Sequence, residues 1–540
     1  MRLKPKYLWF AGATLLYVVL AAFIFWGTWS LDIVPVMPDC ENTLPADNAR
    51  AIFAKWLSDG LFQPADLMRL IGSAYFWVEL NYAVAAYFAM LGMAYFCRGR
   101  SLCPLASYGA GILLSLCGYW FSLFSAGHIG WFHWMTYGIF AFGLADRAVQ
   151  KGRLRHWMLL GATLGWSGFH QPDIWLLFTF FTGIYFLFRT LECTRDAVFW
   201  RRWSIGVAIA AAVFALIFAP GALSMLESKD KREAQIAQSG DTASPQAQGE
   251  NGKSREERWI FVTNWSLPVE ETAEFLIPRG QGDTSCPFVL SIGRAMRSGV
   301  ERYVGALGRP FGAKSGNYRQ HSLYMGFVTC ALAFIGILSG VFRRQVRRDV
   351  VFFAIAAFVF WLLSLGRNFE ILYRLVFALP LLDSIRCPVK WVHLAEFSVV
   401  ALSAYGIEAM LSFLCGAFRN QVVPVAVVAL AIAAGAFDLA RVHRLYCAPV
   451  DVGAARRGNM NSELRIMHRN EFSKPEVRRK VEEKSILPVA RYFGHPDFYV
   501  VQSLGRYGKI PLSPKPLPVA LGIVSMLASL AVAAVAVRKR

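Results

Sequence analysis

The sequence predicts an all-α polytopic membrane protein of about twelve transmembrane helices with loops at the outer face, and three observations carry that expectation. The 540 residues are 56% hydrophobic and 17% charged, against about 25% charged residues in soluble domains. The mean hydropathy of +0.40 extends over a chain longer than the roughly 250–300 residues at which one soluble core stops growing. Mainly apolar runs, many of them near the roughly 17–25 residues that cross a bilayer, recur along the sequence. This composition excludes a disordered chain and a small disulfide scaffold.

The expected spans are 7–27, 74–96, 104–124, 131–145, 157–169, 173–189, 203–223, 322–341, 350–366, 391–415, 421–438 and 517–537. The first follows a basic start and has no small-residue cleavage site before Leu31, the pattern of an uncleaved signal anchor. The fourth and fifth are short and hold Gly and polar residues, which suits kinked helices or helices screened from lipid.

Charge gives an independent test. With Met1 in the cytoplasm, Arg98, Arg100, Arg147, Arg153, Arg189, Arg202, Arg343, Arg348 and Arg540 all fall in inner segments, and such segments supply most of the net +20. The short outer loops 28–72, 125–130 and 170–172 hold more acids than bases. Basic residues resist translocation, so both termini are expected to be cytoplasmic. The positive charge is spread over many loops and forms no single patch, which removes nucleic acid as a partner.

Residues 1–438 are expected to form the bundle, with outer loops 28–73 and 224–321. A small outer segment, 439–516, follows, and 517–540 is the final helix with a basic cytoplasmic tail. Within the second loop, 227–258 is polar and of low complexity, the composition of a mobile loop. Trp259 to Trp265 and on to Pro278 is aromatic, as expected of an ordered segment near the membrane surface. Of the ten cysteines, Cys40, Cys286, Cys387 and Cys447 fall on the outer side, where a disulfide is permitted; no pairing follows from their spacing.

No Gly-rich nucleotide loop, HExxH or GxSxG is present, so no cofactor is expected, with a divalent metal left open. The chemically suggestive residues cluster at the outer ends of helices: Asp39 and Asp47, His128, the run His170-Gln171-Pro172-Asp173, and Arg386. A carboxylate there suits a base acting on a hydroxyl, and Arg or His suits a phosphate. Glu79 and the His393/Glu396 pair are intramembrane polar residues; their i,i+3 spacing puts the pair on one helix face.

The stretch Ser364-Leu-Gly-Arg-Asn-Phe-Glu-Ile-Leu-Tyr373, followed by Leu379-Pro-Leu-Leu-Asp-Ser-Ile-Arg-Cys-Pro-Val-Lys390, resembles the YfhO-like bacterial membrane proteins. So do Ser125-Ala-Gly-His128, Gly168-Phe-His-Gln-Pro172, Trp265-Ser-Leu-Pro268, Pro278-Arg-Gly280 and Tyr324-Met-Gly326, over most of residues 30–410. The chain is shorter than many members, and its outer tail is reduced. The resemblance implies a GT-C-like glycosyltransferase bundle in the bacterial inner membrane. It also implies a polyprenyl-phosphate sugar donor, a cell-envelope glycan or lipid as acceptor, and an essential acid in the first outer loop. Ala46-Asp47-Asn48 is the best match to that acid, with Asp39 as the second candidate. Arg386, His128, His170 and Gln171 would lie near the donor phosphate.

Each residue also has a plainer role. Asp47 is a good N-cap for 48–57, where Ile52, Phe53, Trp56 and Leu57 share a face. His128 fits a helix end bonded to a carbonyl, and Arg386 fits an interfacial anchor. A transporter or lipid flippase using Glu79, His393 and Glu396 is the main alternative function, and an envelope-assembly scaffold is a third. The topology is open to direct test: reporter fusions or cysteine labelling at 240, 345 and 480 are expected to read outside, inside and outside. An inside signal at 240 would overturn the scheme.

Overall fold

Long apolar runs leave their backbone N–H and C=O groups no water to bond, so each must close its hydrogen bonds internally, as helix. A computed structural model describes residues 5–24, 33–34, 56–57, 60, 74–118, 120, 123, 129–169, 172–193, 196–239, 255–277, 323–379, 382–444, 464–468, 474–476, 479, 490–492, 495–502 and 515–537. The first half holds α1 (Pro5–Ile24), β1 (Ile33–Val34), α2 (Ala74–Gly99), α3 (Pro104–Leu116), α4 (Ile129–Lys151), α5 (Leu154–Ser167), α6 (Pro172–Glu192) and α7 (Ala197–Ser239). It continues with α8 (Arg255–Val262), α9 (Phe327–Phe342), α10 (Arg347–Ser364), α11 (Glu370–Phe377), α12 (Val392–Ala417) and α13 (Val422–Arg444). Strands β2 (Leu464–His468), β3 (Ala490–Tyr492) and β4 (His495–Gln502) precede α14 (Pro516–Val537).

A helix overlaps each of the twelve expected stretches, but among the described residues six helices are long and apolar enough to cross a membrane, or seven if the bent pair of α10 with 366–377 counts as one. This is the build of a helical membrane protein with fewer self-sufficient spans than the sequence led one to expect. The reasons are local. At 14 residues, α5 reaches only about 21 Å, short of a ~30 Å hydrocarbon layer. Helix α4 is 23 residues long but carries His133, Asp146 and Arg147.

Two further expectations are corrected. The polar run from Glu227 is helical as far as Ser239, because α7 continues through it for 43 residues in all. Its Ala, Glu, Lys and Gln residues are good helix formers even where they are too polar for lipid. Residues 240–254 lie outside the described set. The fold is also not purely α: a four-stranded sheet, ordered β1-β3-β4-β2, pairs Ile33 with Arg491 in parallel and Leu464 with Gln502 antiparallel. That sheet joins the first loop to the 439–516 segment. The first loop is tied down again where Lys515 donates its N–H to the Leu57 carbonyl at 3.0 Å.

One end of the bundle is held by buried charge. Arg100, just beyond α2, donates to Asp146 of α4 at 3.0 Å and, through Nε, to Asp349 of α10 at 3.0 Å. Arg189 of α6 donates to Asp146 at 2.8 Å and also pairs with Glu192. Tyr405 of α12 donates to Asp349 at 2.9 Å, and Gln150 donates to Asp146 at 3.0 Å. Asp146, Asp349 and Arg189 are all buried. Nearby, the Cys103 N–H donates to the Glu408 carboxylate of α12 at 2.7 Å.

Close helix packing fixes the other axis. Gly336 of α9 and Gly406 of α12 face each other, and a Cβ on either would run into the partner helix's backbone at Leu402 or Leu332. Small residues let helices approach this closely where lipid offers no hydrophobic drive to associate.

The buried network predicts an asymmetry. Asp146→Asn leaves Arg100 and Arg189 short of countercharge and is expected to cost about 3–5 kcal/mol, read as a lowered unfolding midpoint of the detergent-purified protein. Glu370→Gln breaks an i,i+4 pair with Arg374 whose side chains are 47% and 52% exposed, and is expected to cost about 0–1 kcal/mol.

Candidate functional site

The opposite end of the bundle is sewn together by three short segments. Ser364 closes α10, and its carbonyl accepts from Leu267 N–H at 2.9 Å. The Ser266 hydroxyl accepts from Arg367 N–H at 3.0 Å, and Asn368 donates its side-chain amide to the Leu267 carbonyl at 2.8 Å. Cys387 N–H reaches the Val262 carbonyl at 3.0 Å. The motifs Trp265–Pro268, Ser364–Asn368 and Arg386–Lys390, distant in sequence, therefore share one hydrogen-bonded knot.

Backbone strain concentrates in this knot. Gly366 (φ 51°), Trp265 (φ 58°) and Cys387 (φ 68°) all lie in the left-handed region. Gly366 allows a 114° bend between α10 and 366–377, and a Cβ there would strike the Ser266 hydroxyl and the Pro388 ring. Trp265 and Cys387 hold that conformation without glycine's freedom, at a cost of order 1–3 kcal/mol each that the surrounding contacts must offset.

Two cations rise from the knot with different fates. Arg386 lies over the rings of Phe261 and Trp265, 5.1 and 5.0 Å from their centroids, and is half-buried. Among the described residues it has no carboxylate partner. Lys390 is buried, pairs with Asp173 at the start of α6, and sits 5.2 Å from the centre of the Trp131 ring. The Trp131 ring meets His393 edge-on at 5.4 Å. His393 Nδ1 is 3.8 Å from Glu396 Oε2, and both side chains are 1% exposed, so neither snorkels to an interface. A second polar pair, Asn81 Oδ1 with His133 Nε2 at 2.7 Å, joins α2 to α4.

Of the residues marked in the sequence, the structure brings Arg386, His393, Glu396 and Asp173 to this one end. Asp39, Asp47, His128, His170 and Gln171 lie outside the described residues, and Glu79 is on α2 with its side chain outside them. Of the four cysteines expected on the outer side, Cys387 is free and buried, and the others lie outside the described set. Among the described residues, no group of three or more His, Cys, Asp or Glu is placed to hold a metal ion.

Sequence reasoning missed Lys390 as a site residue, and with it Trp131 and Asn81. A lysine at the mouth of a long apolar helix was the available signal. It also missed Glu271 and Glu274, buried in the 3₁₀ turn Val269–Phe275, where nothing in the sequence separates them from solvated acids.

Chemically, the arrangement offers an aromatic-mounted guanidinium with no countercharge among the described residues, at the same end as a Lys–Asp pair with a buried lysine and a buried His–Glu pair. The first suits an anionic ligand, and the buried pairs suit orientation and proton exchange. Protein-family models and curated proteins, compared with the chain, gave no match.

The ion pair can be tested for direction. Lys390→Met puts an apolar chain of similar length into an apolar site and leaves Asp173, 22% exposed, within reach of water. Asp173→Asn instead strands a buried ammonium and is expected to cost about 3–5 kcal/mol. In thermal unfolding, Asp173→Asn should be the more damaging change, and the reverse order would show that Lys390 is not buried as described.

Proposed function

We propose that the protein is a membrane glycosyltransferase that takes a polyprenyl-phosphate-linked sugar at the outer face of the bacterial inner membrane and transfers it to a cell-envelope glycan or lipid. In this reading the bundle has twelve spans and both termini are cytoplasmic. The single observation that carries it is Arg386, half-buried over Phe261 and Trp265 with no carboxylate partner among the described residues. A guanidinium so mounted is preorganised for a phosphate and loses little entropy on binding it. Asp47, or Asp39, is the base that takes the acceptor's proton. The pairing of β1 with β3 supports a first loop held beside the outer segments, as that chemistry requires.

A second reading, a transporter or lipid flippase, is favoured by the 114° bend after α10 together with the buried His393 and Glu396 on α12. Broken helices beside buried ionisable residues are the usual makings of a transport site.

Incubating the purified protein with polyprenyl-phosphate sugars and following release of the lipid phosphate separates the two. The transferase reading expects turnover by the wild type. Arg386→Ala should raise KM about 10–100-fold, the worth of a charge-assisted hydrogen bond of about 1.5–3 kcal/mol. Asp47→Asn keeps a good N-cap but loses the basic carboxylate, so the rate should fall roughly 10²–10⁴-fold with the fold intact. If Asn variants of Asp47 and Asp39 both turn over at the wild-type rate, the first-loop acid is not the base.

A further inference from the structure

A cavity of about 460 Å³ lies at the ion-network end, between the ends of α4, α6 and α7, far from Arg386. Its lining includes Lys151, Arg202, Trp157, Trp203, Glu192 and Asp196. The two acids are already engaged: Glu192 pairs with Arg189, and Asp196 accepts the Phe199 N–H at 2.6 Å as a helix cap. The two cations are not. Among the described residues neither Lys151 nor Arg202 forms an ion pair or a hydrogen bond. Lys151 is also crowded by like charge: burial, then Arg147, Arg153 and Arg155, lower its pKa. A bound anion would relieve that repulsion.

The surroundings distinguish a lipid from a free anion. Val198, on the cavity wall, is 56% exposed, and the neighbouring Leu191 and Leu154 are 63% and 50% exposed. Exposed apolar side chains at these helix ends suit the acyl chains of a lipid. Trp203, half-buried at the cavity wall, supplies an aromatic ring of the kind that favours the headgroup level of a bilayer. Basic pockets between helix ends, flanked by such surface, are suited to anionic headgroups. We infer that this cavity binds the phosphate headgroup of an anionic phospholipid, with Lys151 and Arg202 as its ligands. The inference does not rest on the transferase reading.

The test is lipid retention through detergent washing, counted by native mass spectrometry of the full chain after exposure to phosphatidylglycerol or phosphatidylcholine. The wild type is expected to retain phosphatidylglycerol in preference to phosphatidylcholine, and K151Q/R202Q to lose one phosphatidylglycerol per chain. R343Q/R344Q removes equal charge from a different inner turn and is expected to keep that lipid. If the double variant at the cavity does not fold, R202Q alone carries the comparison and is expected to show partial loss. Equal retention of the two lipids by the wild type overturns the proposal, as does undiminished retention by the cavity variants or equal loss from R343Q/R344Q. Displacement of the lipid by millimolar inorganic phosphate would make the site one for a soluble anion and would also overturn it.

Discussion

Asp146, Arg189 and Asp349 are buried where they meet the mostly buried Arg100, and the rest of the bundle is arranged around that meeting. An isolated buried charge costs far more than a helix can supply, so each must find its partners or the helices cannot come together. Asp146 alone accepts from Arg100, Arg189 and Gln150, and Asp349 accepts from Arg100 and Tyr405. Five parts of the chain are thereby held to one register: the turn after α2, then α4, α6, α10 and α12. Such a network adds little net stability compared with an apolar core of the same volume, but it penalises every arrangement that leaves a charge unmatched.

With that end fixed, the geometry of the other end follows. Asp173 and Arg189 lie on the same helix, 16 residues or roughly 24 Å apart, so α6 carries one polar cluster at each end. The ion network sets where α6 starts, and the start of α6 delivers Asp173 to Lys390. The tight contact of α9 with α12 at Gly336 and Gly406 then leaves the ends of α10 and α12 away from the ion network to be bridged by the strained knot of Trp265, Gly366 and Cys387. Strain is retained there because the knot's hydrogen bonds over-determine it, and it aims Arg386 at the aromatic pair.

The division of labour is physical. Charges at one end are mutually satisfied and serve the fold. At the other, one guanidinium is left without a countercharge among the described residues, and the pairs His393–Glu396 and Lys390–Asp173 lie at the same end. A cation held by rings is positioned yet still electrostatically available, the combination a ligand site needs.

The sequence by itself determined that the chain is a helical membrane protein, that helix lies at each of the twelve apolar stretches, and that His393 and Glu396 share a face. These are local properties, set by a solvent that bonds no backbone and by a 3.6-residue repeat. The sequence misjudged what α7 does after Glu227, because polarity there marked the end of lipid contact and not the end of the helix. It also counted Arg100 and Arg189 among the basic residues of the inner segments, with nothing to mark them as partners of Asp146 and Asp349. Only the tertiary structure decided that they turn inward, that Lys390 pairs with an acid 217 residues away, and that a two-residue strand of the first loop joins β3. A charge beside a helix end looks the same in sequence whether it meets water or another helix. Coulomb energy depends on distance through space, and that distance does not exist until the helices have packed.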